Sequence, residues 1–202
     1  IVSAMSGVTN ELIKKSNLIS KNFDNQELDV LLSSGEQVSC SLLSGAIIDL
    51  GLKARSWLGW QIPIITNDNY TSSQIMKIKT DEILAFISEG GIAVIAGFQG
   101  ISKENRITTL GRGGSDLSAV AIAKFFKTDS CEIYTDVEGV LTTDPSINEK
   151  AKKIDKISYE EMLEMASLGA KVMQPNAVQF SMIDNIPIHV RSTFSSKPGT
   201  KI

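Results

Sequence analysis

Apolar positions along this chain follow two rhythms that alternate from one end to the other. Across 8–19, VTNELIKKSNLI sets Leu12, Ile13, Leu18 and Ile19 roughly on one helical face. The stretch 35–51 reads as a second helix closed by Gly51, and 80–90 as a third closed by Gly90. Residues 116–127 continue the helical pattern after a glycine-rich loop. The stretch 158–169 opens with Ser158 and Glu161 at capping-box spacing, and 172–185 turns helical after Pro175. Between these lie short apolar runs at 1–4, 62–66, 91–98, 131–135 and 186–190, which read as strands. The run 91–98 has the unbroken hydrophobicity of a strand covered on both faces. The polar segment 98–110 reads as a hairpin or a flexible loop. The tail 193–202, TFSSKPGTKI, reads as a domain end or the entry to a linker. Strand–helix alternation of this kind predicts an α/β layered fold with a mostly parallel sheet.

Composition narrows the picture. The chain has 202 residues, 42% hydrophobic and 21% charged, enough for one well-packed domain with room for small sub-lobes. A net charge of −3 argues against a nucleic-acid partner. No apolar run reaches membrane-spanning length, and the first residues do not read as a signal peptide. Cys40 and Cys131 lie far apart without metal-like spacing, as expected of buried thiols in a reduced, cytoplasmic protein. The first residues, IVSAM, read as a strand already under way, so the chain is expected to start inside a domain.

Five stretches carry candidate chemistry. In TTLGRGGSD (108–116), glycines allow backbone N–H groups to approach an anion, a helix start adds its positive end, and Arg112 adds a fork of donors. Its local alternative is a simple turn, with Ser115 as helix cap and Asp116 facing the dipole. In SAMSGVTN (3–10), Ser3, Ser6, Gly7 and Thr9 can donate to a ligand, or Thr9 can merely cap the helix. In SSGE (33–36), Ser33 and Glu36 match a capping box, while a functional reading places Glu36 in a cleft to accept from an ammonium group. In YTDVEGVLTTDP (134–145), Asp136 and Asp144 enter turns at the end of a strand, where open α/β sheets gather ligands. In GAKVMQPN (169–176), Lys171 follows the glycine that ends a helix and is either solvated or placed to neutralise a phosphate. His189 receives no role.

Taken together and in this order, VSAMSGVTN, SSGEQVS, GWQIPIITND, AGFQG, TTLGRGGSDLSAVAIA, YTDVEGVLTTDP, EMASLGAKVMQP and IPIHVRSTFSSKPGT resemble the catalytic domain of the aspartokinases, within the amino-acid-kinase superfamily. The resemblance covers nearly the whole chain. It implies a three-layer αβα sandwich over 1–202, incomplete at its N-terminus, with 193–202 leading toward an absent regulatory domain. It also implies ATP with Mg²⁺ and phosphorylation of the L-aspartate side chain, the first step toward lysine, threonine, methionine or diaminopimelate. By the same resemblance Ser3, Ala4, Thr9, Glu36, Phe98, Arg112, Gly113, Gly114 and Ser115 hold the substrate, Glu36 through its amino group and Arg112 through a carboxylate. Asp116 organises the reacting centre, Lys171 faces the phosphates, and Gly7, Thr135 and Asp136 line the nucleotide side. No protein metal site is implied. A cytoplasmic homodimer is expected of the full-length enzyme.

The departures matter as well. The family's Lys-Phe-Gly-Gly motif, whose lysine contacts the phosphates, is absent, so the fragment alone is expected to be nearly inactive. Leu141 and Ser146 stand where many relatives carry an aromatic residue and an arginine, and Gln174 where histidine is common. Two alternatives stay open: a non-catalytic module binding nucleotide or amino acid, and a superfamily kinase with another acceptor, such as glutamate.

Overall fold

Gly7 and Asp24 open the first two helices of the computed structural model, which describes residues 1–170 and 172–202. Lys171, expected at the phosphates, lies outside the described residues. Helix α1 (Val8–Ile19) follows Gly7, whose φ of 83° is left-handed. Thr9 therefore sits inside the first turn and is not the cap. Helix α2 (Asn25–Asp49) begins well upstream of the expected start, because the Asp24 carboxylate accepts from the Gln26 and Glu27 amides at 2.9 and 3.1 Å. Ser33 and Glu36 are thus mid-helix, and the capping-box reading of that pair is corrected. The Ser33 and Ser34 hydroxyls bond back to the Val30 and Leu31 carbonyls instead.

The chain divides into two compact units, 1–118 and 119–202. In the first, β1 (Ala54–Trp57) pairs in parallel with a later strand, β4 (Ile92–Ile95), and Val2 adds a parallel bridge to Ala96 beyond the end of β4. The expected strand 1–4 is reduced to that bridge. Strands β2 (Ile64–Thr66) and β3 (Ile75–Ile78) pair antiparallel, and α3 (Asp81–Ser88) follows them. Strands β5 (Gln99–Ile101) and β6 (Ile107–Thr109) form a hairpin where a hairpin or loop was expected, and β5 also pairs in parallel with β2. Helix α2 packs on β1, β4 and β6, and α1 packs on α2. The core of this unit includes Trp57, edge-on to Phe86 with ring centres 5.9 Å apart. Cys40 is also buried there, and its thiol donates to the Val94 carbonyl at 3.0 Å.

Helix α4 (Gly114–Phe126) carries the chain across the division between the units. In the second unit β7 (Cys131–Thr135) pairs in parallel with a strand near the C-terminus, and α5 (Tyr159–Ser167) carries the predicted Ser158–Glu161 capping box with both of its bonds. Helix α6 (Pro175–Asp184) starts on its proline. Strand β8 (Ile188–Ser192) is the partner of β7, and β9 (Thr200–Lys201) adds antiparallel to it, so the tail returns to the sheet. Met162, Met173, Val178 and Ile188 fill the core here. The described ladders are therefore mixed, with the expected parallel pairs at β1–β4, β2–β5 and β7–β8 and antiparallel partners beside them.

Candidate functional site

In the first unit the site is built around a close approach. Gly35 lies on α2 where a Cβ would sit 2.8 Å from the Ala4 Cβ and 3.4 Å from Val8. Its missing side chain lets the loop after Val2 press onto the helix. The Ala4 amide then donates to Glu36 Oε1 at 3.0 Å. Glu36 is only 4% exposed, and its second oxygen, Oε2, is buried with no hydrogen-bond partner among the described residues. Burial pushes its carboxyl above the usual glutamate range, while the Ala4 amide pulls it back. A buried carboxylate oxygen without a donor is costly, and an ammonium group would satisfy it.

The glycine loop is held to the same strand ends. The Gly97 amide donates to the Val2 carbonyl at 3.0 Å. A Cβ on Gly97 would fall 3.0 Å from Ile1 and 3.1 Å from Ser115, so the N-terminal strand and the start of α4 meet at this point. Phe98 adopts a left-handed φ of 66°. Its amide donates to Ser118 Oγ at 3.0 Å, and that hydroxyl donates to the Gly114 carbonyl at 2.8 Å. Gly114 must be glycine, since a Cβ there would lie 2.7 Å from the Phe98 ring. Gly111 and Gly113 have φ of 75° and 71°, which glycine adopts without strain. The Gly114 amide closes the turn onto the Gly111 carbonyl at 3.0 Å, while the amides of Gly111, Arg112, Gly113 and Ser115 have no partner among the described residues. Arg112 projects from the tip, exposed.

Ser3, Ala4, Glu36, Phe98, Gly114 and Ser115 are thus drawn to one end of the sheet around β4. Thr9 and Gly7 lie where α1 begins, and Asp116 lies in the first turn of α4. Two residues that the sequence reading passed over shape this region. Asp29 is fully buried on α2 and is bonded to Thr71 and Thr109. Gln99 is buried beside Ser33, with its amide NH₂ donating to the Ser33 carbonyl at 3.2 Å. Neither stands out locally, because an Asp within ELDVLL and a Gln after Phe98 look like ordinary surface positions.

The second unit holds its own cavity, of about 290 Å³, beyond the C-terminal end of β7. Val137, Val140, Leu141, Met165 and Val172 give it apolar walls, with Thr143 and Asp144 at its polar side. Thr135 ends β7, and its hydroxyl donates to Asp136 at 3.1 Å. Asp144 shapes the loop by accepting from the Ser146 amide and hydroxyl at 2.8 and 2.6 Å. Thr200 props the opposite side. Its hydroxyl accepts from the Val140 amide at 2.8 Å and donates to the Ile154 carbonyl at 2.5 Å. Among the described residues no three His, Cys, Asp or Glu side chains cluster around a metal position. Mg²⁺ carried by nucleotide phosphates needs only one or two carboxylates, so Asp116, Asp136 and Asp144 are compatible with it singly.

No described helix is long and apolar enough to cross a membrane. An aspartokinase of Pseudomonas aeruginosa is 50% identical over 202 residues, covering all of this chain and 49% of that protein. The crystal structure of an aspartate kinase from Synechocystis matches with a TM-score of 0.88 and 46% identity, over all of this chain and 33% of that one. The structure of E. coli aspartokinase III in complex with aspartate and ADP matches with a TM-score of 0.84 and 29% identity, over 95% of this chain and 45% of that one. The chain thus spans about half the length of the curated relatives it matches. The amino acid kinase family matches residues 1–192, and with its fold and its glycine-loop geometry agreeing, the chain belongs to that family.

Proposed function

We propose that this chain is catalytic-domain sequence of an aspartate kinase, which transfers the γ-phosphoryl group of ATP to the side-chain carboxylate of L-aspartate. The observation that carries the reading is the orphaned Glu36 Oε2, a buried anionic acceptor in the same compact unit as the glycine loop. An α-amino acid presents that pair of needs, a cation and a carboxylate held apart at a fixed distance. The relatives named aspartokinase, and the E. coli structure holding aspartate and ADP, support the choice of substrate and nucleotide.

In this reading Glu36 accepts from the substrate ammonium. Arg112 and the Gly113 and Ser115 amides hold a carboxylate, and Ser3, Ala4, Thr9, Gly114 and Phe98 complete the wall. Gly7, Thr135 and Asp136 take the nucleotide side, with the apolar cavity sized for a base. Asp116 and Lys171 serve the reacting centre, Lys171 by neutralising phosphate charge. A side-chain oxygen of L-aspartate attacks the γ-phosphorus, the bond to the β,γ-bridging oxygen breaks, and ADP leaves with the electron pair. Mg²⁺, when bound, screens the phosphate charge during transfer. The residues of the chain contribute positioning and charge balance, which is where most of the rate in phosphoryl transfer arises. A homodimeric, cytoplasmic enzyme goes with this reading.

The test is ADP release from MgATP with L-aspartate, L-glutamate and UMP as acceptors, measured on the protein expressed from its natural reading frame. L-Aspartate is expected to support turnover, with chelation of Mg²⁺ abolishing it. Turnover with glutamate or UMP in preference to aspartate would overturn the proposal.

A further inference from the structure

We propose that Thr200, on β9, is a positioning residue for the nucleotide: its buried hydroxyl fixes the loop that walls the apolar cavity of the second unit, and so sets how tightly that cavity holds a base. This rests on the reading above, in which the cavity takes the base of ATP.

Val137, Gly139, Val140, Leu141 and Thr143 bring one wall of the cavity from a single loop after β7. Thr200 is not part of the lining, yet it is fully buried and bonded to that wall. The Val140 amide donates to Thr200 Oγ1 at 2.8 Å, and Oγ1 donates to the Ile154 carbonyl at 2.5 Å. Ile154 is itself paired with the loop. Its amide donates to the Val140 carbonyl at 2.9 Å, and next to it the Thr142 amide donates to the Lys152 carbonyl at 2.9 Å. One hydroxyl thus closes a ring of three hydrogen bonds with Val140 and Ile154 and locks the two sides of this small ladder together. Gly139 shows how close the approach is. A Cβ there would lie 2.5 Å from Thr200 Oγ1 and 3.1 Å from the Thr200 nitrogen, and its φ of 142° is a value that glycine alone adopts without strain.

Thr200 can hold the loop because it is held on two sides. The Lys201 amide donates to the Asp155 carbonyl at 3.0 Å, and the Ile157 amide donates to the Lys201 carbonyl at 3.0 Å. On the other side, Thr200 and Lys201 pair with Val190 and His189 of β8. Gly199 makes that fit possible, since a Cβ on it would fall 1.7 Å from the Val190 carbonyl oxygen. Strand β9 therefore acts as a fixed post, and the Thr200 hydroxyl carries its position into the cavity wall. A valine has the shape of threonine but not its chemistry. Its methyl cannot sit 2.8 Å from a nitrogen and 2.5 Å from an oxygen, and it leaves the buried Val140 amide without an acceptor. The wall must then shift, and a pocket that binds by shape is sensitive to such a shift.

The experiment is steady-state kinetics of Thr200→Val and Thr200→Ser in the protein from its natural reading frame, with thermal melting alongside. Thr200→Val is expected to raise the KM for ATP on the order of 10-fold, with kcat at saturating ATP and the KM for L-aspartate close to those of the wild type. Thr200→Ser keeps the hydroxyl and is expected to restore the KM for ATP. A purely structural Thr200 would lower the melting temperature and the active fraction of the valine variant while leaving its KM for ATP intact, and that result overturns the proposal. So does a serine variant as impaired toward ATP as the valine one, or a KM for aspartate that rises in step with that for ATP. Should Thr200→Val fail to fold, Thr200→Ala removes the hydroxyl without forcing a methyl against Val140; it is expected to raise the KM for ATP in the same way, and an unchanged value overturns the proposal. If the wild-type protein shows no saturable dependence on ATP, the parent reading falls and this one with it, whereas an active wild type whose KM for ATP is indifferent to Thr200→Val sinks this inference alone.

Discussion

Glu36 has one oxygen bonded to the Ala4 amide and the other buried without a partner among the described residues. Burial raises its carboxyl above 4.5, so the folded chain holds that proton more tightly than the unfolded chain does. The contribution to stability is therefore fully present below the unfolded value and is lost as pH rises through the folded one, and at neutral pH the ionised side chain is a liability. Glu36→Gln retains an acceptor for Ala4 and removes the charge. It is expected to melt above the wild type at neutral pH, with the gap closing as the medium approaches the ordinary glutamate range. The same variant is expected to lose about 100-fold or more in L-aspartate affinity by calorimetry, because a buried charge partner is gone. A Glu36→Gln protein that melts below the wild type at neutral pH would contradict this account. The sequence suggested both roles of Glu36 and could not choose, since S-x-x-E satisfies a capping box and a mid-helix acid alike. What decides between them is Asp24, a stronger cap upstream, and the contact at Gly35. The second of these is tertiary and invisible locally.

At the scale of elements, several helices and the longer apolar strands were legible because their pattern is sustained. Helices α1 and α5 fall close to where the pattern placed them, and β7 and β8 stand out as apolar runs. Strands β1 and β3 were missed because each is four residues long with exposed positions interrupting any alternation, at Arg55 in one and at Met76 and Lys77 in the other. Their pairing comes from neighbours distant in sequence. The first ten residues of α2 were missed for a different reason: Ser33, Ser34 and Gly35 look like a break, yet they are a packing feature. Gly35→Ala sets two effects against each other. Alanine in a helix interior is favoured over glycine by about 1 kcal/mol, whereas overpacking costs roughly 1–3 kcal/mol. The new Cβ would meet another Cβ at 2.8 Å, with no flexible chain end to yield, so overpacking wins. The expected outcome is a lower melting temperature and weaker L-aspartate binding, as Ala4 is pushed from Glu36. A variant stabilised by the substitution, with binding intact, would show that the loop moves freely.

At the scale of the whole molecule, the α/β class was readable from strand–helix alternation, but the division into two compact units was not. It falls between Ser118 and Ala119, inside α4, where no glycine, proline or polar run marks a boundary. Each unit has its own buried cluster, Cys40, Val94 and Ala96 in one and Val120 through Val190 in the other. Each also offers different chemistry: a buried acid and a glycine-rich loop, proposed above to bind an anion, in the first, and an apolar cavity in the second. Ligand footprints should follow that division. Amides in loops exchange fastest and report ligand contact most clearly. In hydrogen-exchange mass spectrometry, L-aspartate alone is expected to slow exchange over 110–116, where the Gly113 and Ser115 amides have no partner among the described residues. A non-hydrolysable ATP analogue alone is expected to slow it over 137–145, which supplies much of the cavity wall. Protection by aspartate at 137–145 with none at 110–116 would reverse the assignment, placing the amino acid in the apolar cavity and leaving the glycine loop for phosphate.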